Sequence, residues 1–183
     1  MKTILKTALP ALILLFIACS DSGSPTGPDV VFDGKITAGT PVEVVRQEVS
    51  AAGGTVTVSD PSGPLNGLEL TIPANGFGQS QEIVISRAEI TSHERGAHFN
   101  PVSPLISIRC AAGYSGDPMT LTVPISIPEG HFAMGFFYDD RTGSLEPIPV
   151  QQLSTDLITL STRHLSPEGA TSLSKRSLSG AKS

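Results

Sequence analysis

"MTLTVPISI", Met119–Ile127, alternates without a break. Met119, Leu121, Val123, Ile125 and Ile127 fall on one side, and Thr120, Thr122, Pro124 and Ser126 on the other. Successive side chains of an extended chain point to opposite faces, so this period of two predicts a strand with one buried face. Pro124 has no N–H to give to a ladder, which predicts a bulge or an edge position there. "GLELTIP" repeats the pattern with Leu68, Leu70 and Ile72 inward, and "QEIVISRAEI", "PLISIRC", "HFAMGFFYDD" and "DLITLST" predict further strands. The β-branched residues of "VEVVRQEVSAAGG" favour strand over helix. Turn signals dense in Gly, Pro, Asn and Asp separate these runs: "DPSGPLNG", "PANGFG", "YSGDP" and "DDRTGS". Many short strands with regular punctuation indicate an all-β sandwich or barrel.

The amino terminus reads differently. "MKTILKTALPALILLFIACS" places Lys2 and Lys6 before an apolar run from Ala8 to Ala18, and Cys19 follows. As a helix that run spans roughly 16 Å, about half of a bilayer core, so it predicts a cleaved secretory signal and not a membrane span. "LFIACS" resembles the lipobox of bacterial lipoproteins, with Ala18 before the cut and Cys19 as the first mature residue. The resemblance implies a thioether-linked diacylglycerol on Cys19 and palmitate-type N-acylation. Several buried acyl chains hold a protein firmly to a membrane, where one gives only marginal binding. Phe16 departs mildly from the pattern, in which leucine is commoner. Ser20, in place of an aspartate after the cysteine, implies sorting to the outer membrane of the cell envelope.

The expected organisation is a signal peptide over 1–18, a lipidated cysteine with a flexible linker over 19–40, a β-domain over 41–166 and a polar tail over 167–183. The linker is rich in Gly, Ser, Pro and Thr and poor in residues able to pack. Loss of the signal removes two lysines and no acid, taking the formal charge from −5 to −7. That mildly acidic balance, with one small basic cluster at Lys175 and Arg176, offers no electrostatic footprint for nucleic acid. With seven Phe, two Tyr and no Trp, rings for a glycan-stacking platform are scarce, which argues against a small-molecule or sugar ligand. If Cys19 is acylated, Cys110 has no partner for a disulfide. It then reads as a small buried hydrophobe in a strand.

Taken in order, "EVSAAGGTVTVSD", "GLELTIPANGF", "EIVISRAEI", "PVSPLISI", "TLTVPISIP", "FFYDDRTGSLEPIPV" and "LITLSTRHLSP" are similar to the ZU-five domain family and closer still to its bacterial envelope versions. The points of contact are Gly53-Gly54, Leu70 to Pro73, Pro101 to Pro104, the "YDDRTGSLEPIPV" hairpin and Thr162 to Ser166. The resemblance covers nearly all of residues 43–166. It implies a β-sandwich used for protein contacts or architecture, in most members without catalysis. The expected partners are therefore the membrane, through Cys19, and another envelope protein. No cofactor is expected.

Three stretches bear residues that do chemistry elsewhere. "HERGAH" invites comparison with a zinc-binding helix, but His93 and His98 are five apart and Gly96 between them disfavours helix. Metal ligation is rejected. Asp139-Asp140 lack the alternating acids of a calcium loop, and Gly143 suits the left-handed residue of a hairpin turn. "RHLS" resembles the His-Leu-Ser of self-cutting domains. Carried over, His164 takes the Ser166 hydroxyl proton, the oxygen attacks the Leu165 carbonyl carbon, and the Ser166 nitrogen leaves. The resulting ester is then hydrolysed by water. In a regular strand His164 and Ser166 share a face with Ile158 and Leu160 but sit about 6.6 Å apart, too far for proton transfer. Cleavage therefore requires a sharp bend and a strained peptide at Leu165. The favoured reading is a structural strand exit in which His164 and Ser166 satisfy the backbone of the turn. Autoproteolysis at Leu165-Ser166 is the alternative.

Overall fold

The computed structural model describes residues 34–97 and 99–167. Within them the chain is all-β, with no helix. The first seven strands are β1 (Ile36–Ala38), β2 (Val42–Val49), β3 (Gly54–Thr57), β4 (Glu69–Ile72), β5 (Gln81–Ala88), β6 (Ile90–His93) and β7 (Leu105–Cys110). The remainder are β8 (Tyr114–Pro124), β9 (Gly135–Asp139), β10 (Ser144–Ile148), β11 (Val150–Leu153), β12 (Leu157–His164) and β13 (Ser166–Pro167). A five-stranded sheet runs β11-β12-β8-β4-β3 and a four-stranded sheet runs β13-β7-β5-β2, while β1-β6 and β10-β9 form two-stranded ribbons.

The two larger sheets share one core. Val56, Leu70, Met119, Leu121, Ile158 and Leu160 from the first pack in one cluster with Val49, Ile83, Ile85, Ile108 and Cys110 from the second. Each of these side chains withdrawn from water contributes about 1.5–3 kcal/mol of hydrophobic stabilisation before chain entropy opposes it. Met119, Leu121 and Val123 of the opening stretch are buried, whereas Ile125 and Ile127 lie beyond the strand end and are half-buried.

Four details depart from the sequence expectation. The strand carrying Pro124 is the central one of its sheet, neither bulged at the proline nor at an edge. Pro124 is tolerated because it is the last residue of β8, and β4 has already run out, Glu69 pairing with Thr122. The N–H of Ile125 goes to Asp156 on the β12 side, so the missing one at Pro124 belongs to the side with no neighbour. "YSGDP" is not a turn but the irregular start of β8. The sheet register shifts there, and the Gly116 N–H and the Ser115 hydroxyl are tied to the Gly76 carbonyl. In the segment expected as linker, residues 36–38 form β1, with Ile36 buried. "HFAMGFFYDD" becomes strand only from Gly135. The sandwich is antiparallel except where β13 lies parallel to β7.

The β9–β10 ribbon ties the entering chain to the body. Its turn follows the expected geometry, with Gly143 at φ 74° and its N–H donated to the Asp139 carbonyl at 2.8 Å. The Gly143 carbonyl accepts from Gly34 N–H and from the buried Arg95 guanidinium, whose Cζ lies 5.6 Å from the centres of both the Phe99 and Tyr138 rings. The Tyr138 hydroxyl accepts the Ile36 N–H at 2.9 Å.

Candidate functional site

The His-Leu-Ser tripeptide occupies the step between the two sheets. His164 is the last residue of β12 and pairs with Tyr114 in the five-stranded sheet. Ser166 opens β13 and pairs with Arg109 in the four-stranded sheet. Leu165 stands alone between them, with its side chain 7% exposed in the shared core and its N–H donated to Gly113 at 2.9 Å. The chain thus changes sheets within one residue, and a buried leucine holds the change in place.

Among the described side chains, the group that satisfies the backbone there is not that of His164. It is Thr162, buried on the face of Ile158 and Leu160, whose hydroxyl accepts the His164 N–H at 3.0 Å and donates to the His164 carbonyl at 3.2 Å. This closes a bulge at which the register slips between Thr162 and His164. The bulge also removes His164 from the inner face predicted for it. Its ring is exposed and meets Tyr114 and Phe137 edge-on, at centroid distances of 5.2 and 5.8 Å. Ser166 is placed by its backbone pairing, and its side chain lies outside the described set.

Amide-to-ester chemistry at Leu165 calls for a distorted backbone. Among the described residues Asn75, at φ 62°, is the one non-glycine with a positive φ, and Leu165 is not in that region. What the crossover supplies is therefore a bend with a satisfied amide and a packed side chain. It carries the histidine on its exposed side.

Of the other candidate residues, Phe137 and Cys110 border this site and the rest are elsewhere or outside the described residues. Cys19, with the signal and the segment up to Asp33, falls outside the described residues, as do His98 and the tail from Glu168. His93 sits in β6 with its ring edge-on to Phe99 at 5.0 Å. Asp139 serves its own turn: its Oδ1 accepts the Arg141 N–H at 2.9 Å, and this bond, foremost, holds the carboxyl below its ordinary pKa. Phe137 and Tyr138 are neighbours on one strand, so they point to opposite faces, the first to His164 and the second to Arg95. They do not line a common cleft. Cys110 is a buried free thiol whose sulfur accepts the Gly113 N–H at 3.3 Å. A depression of about 160 Å³ beside Arg46, Glu82 and Arg109 falls short of the roughly 300 Å³ at which small-molecule sites begin. Among the described residues no three His, Cys, Asp or Glu side chains gather as metal ligands would.

Sequence reasoning marked Thr162 only as the start of the closing motif, without a role, and passed over Tyr114 and Arg95. A threonine two residues before the histidine is a signal for the first, since its hydroxyl reaches backbone groups two residues away. Nothing local in the sequence marks the other two.

The chain matches no family model, no curated protein and no solved structure.

Proposed function

We propose that this chain is a lipoprotein of the bacterial envelope, anchored through acylated Cys19 on the outer membrane, whose sandwich presents surface to another envelope protein without turning over a substrate. The membership suggested by the ZU-five resemblance is part of the same proposal, and the two packed sheets are compatible with it. The observation that carries the non-catalytic reading is the use made of the His-Leu-Ser step. Leu165 is committed to the core and its amide to Gly113, as suits a structural crossover. The fourteen residues from Ser20 to Asp33 give the body a reach of at most about 50 Å from the lipid. In-cell crosslinking tests the reading. Wild type should capture a defined envelope protein, and Cys19→Ala should lose both palmitate label and that adduct. Label retained by Cys19→Ala contradicts the anchor; adducts unchanged by surface substitutions on the sandwich contradict the binding role.

A second reading rests on the crossover itself, because a chain that leaves one sheet for another at Leu165 is bent where self-cleavage requires it. In that reading His164 is the base, Ser166 the nucleophile and Leu165-Ser166 the bond cut. Ser166→Ala then abolishes a truncation that wild type shows on a denaturing gel. In the favoured reading both proteins run at the same full length.

A further inference from the structure

Among the described residues the two large sheets have four outer edges, and three of them are blocked by an identifiable device. β2 carries Glu43, Arg46 and Glu48, with Arg46 paired to Glu43 and Glu82. On β3 the Thr55 carbonyl is already taken by the Gln47 side-chain amide. β13 is two residues long and ends in Pro167. Charge, brevity and proline are the usual ways of protecting an edge. The fourth edge, β11, is Val-Gln-Gln-Leu: uncharged, free of proline and exposed at every residue.

The direction of its backbone groups follows from two hydrogen bonds. Ser154 N–H bonds Leu157 O at one end of the β11–β12 pair, and Ser161 N–H bonds Pro149 O at the other. Alternate residues of an antiparallel pair turn inward and outward. Leu153, opposite Ile158, therefore points its N–H and C=O away from β12. So does Val150, opposite Leu160. The two lie three residues apart, and an odd spacing normally sends backbone groups opposite ways. The register shift between Val150 and Gln152 restores the match, so both sets of dipoles face the open edge. Their side chains follow those of Ile158 and Leu160 on the inner face, yet Val150 is 42% and Leu153 41% exposed because the core ends there.

We infer that β11 is the docking edge for a second copy of this chain. A two-fold axis through Gln151-Gln152 sets Val150 of one copy opposite Leu153 of the other, and the reverse. Outward N–H then meets outward C=O at both ends, and each half-exposed apolar side chain gains an apolar neighbour on the same face. No charge opposes like charge across the axis. A self-complementary patch of this kind is what a closed two-fold dimer requires. The joined sheet has ten strands. The seam is short, so the association is weak in dilute solution and strengthens when copies share one membrane, by effective concentration. The pairing itself rests on β11 alone, and its strengthening on a membrane rests on the proposed anchor; the detergent measurement below separates the two.

The test is disulfide mapping with the full-length chain in membranes. Co-expressed, differently tagged Val150→Cys and Leu153→Cys copies should cross-link to each other. A matched pair on the β2 edge, Glu43→Cys with Glu48→Cys, should not. Leu153→Pro removes an outward N–H, at a position where proline is tolerated, together with the leucine side chain, and should weaken detergent-solubilised self-association by about tenfold or more with the sheet intact by circular dichroism. Leu153→Lys should do the same through edge charge. Cross-linking equal at both edges, cross-linking only to other proteins, or self-association unmoved by both Leu153 variants overturns the inference.

Discussion

The Leu165 N–H and the Gly113 carbonyl, 2.9 Å apart, join the last long strand to the turn that opens the central one. With the leucine side chain in the core, this bond fixes where the chain steps from one sheet to the other.

Leu165→Ala leaves that bond in place and empties part of the core. The expected loss is about 2–5 kcal/mol in denaturant unfolding, as for buried leucines generally. Leu165→Met, which conserves volume, should cost under about 1.5 kcal/mol. Equal stability of wild type and the alanine variant means that the crossover is not packed as described.

Thr162 serves two backbone groups with one hydroxyl. Thr162→Val keeps the shape and removes the donor and acceptor, for an expected cost of about 1–3 kcal/mol. Thr162→Ser should recover much of it. Amide exchange at His164 should rise in the valine variant and stay slow in the serine one.

Gly53 has φ 78°, and a Cβ there stands 2.4 Å from the Ile72 carbonyl oxygen, which is backbone and cannot swing aside. Gly53→Ala is expected to destabilise by more than the roughly 1 kcal/mol of left-handed strain alone. Gly67, at φ 87° but with open space around it, supplies the comparison. Gly67→Ala should cost the strain and no more.

Arg95 lies between the Phe99 and Tyr138 rings with its guanidinium on the Gly143 carbonyl. A planar fork stacks where an ammonium does not, so Arg95→Lys should free the β9–β10 ribbon from the entering strand. Faster exchange of the Gly34 and Ile36 amides checks this, because both end on that ribbon. Unchanged exchange contradicts the clamp.

Asp139 has its pKa lowered in the folded chain, foremost by the Arg141 N–H. A lowered folded pKa makes the ionised carboxylate stabilising above its ordinary range, and that contribution fades as pH falls through the folded value. Asp139→Asn should therefore reduce Tm slightly at neutral pH and have no effect at strongly acid pH. The group is exposed, so the difference is small and screened by salt. A gap that widens on acidification refutes the assignment.

The strands were legible because burial on one face writes a period of two. Met119, Leu121 and Val123 are buried as their alternation predicts, and "GLELTIP" follows it, whereas β5 is buried on both faces from Ile83 to Ser86 and is marked by its apolar, β-branched run instead. Where the period breaks, legibility ends. The slip at Thr162–His164 reverses which face a residue meets, and no local pattern announces it. β1 has three residues, too few for periodicity, and is held by a tyrosine hydroxyl 102 positions away. Which sheet a strand joins is a tertiary choice, so the step at Leu165 was hidden behind a motif that reads as chemistry. The exposed edge at β11 was obscured for a related reason: strand order, not composition, decides what lies outermost.

Intact mass spectrometry of the protein recovered from membranes tests the central claim most directly. The account predicts a chain that begins at Cys19, carries the added mass of its acyl groups and continues unbroken through Leu165-Ser166. An unmodified amino terminus, or a species ending at Leu165 that Ser166→Ala eliminates, contradicts it.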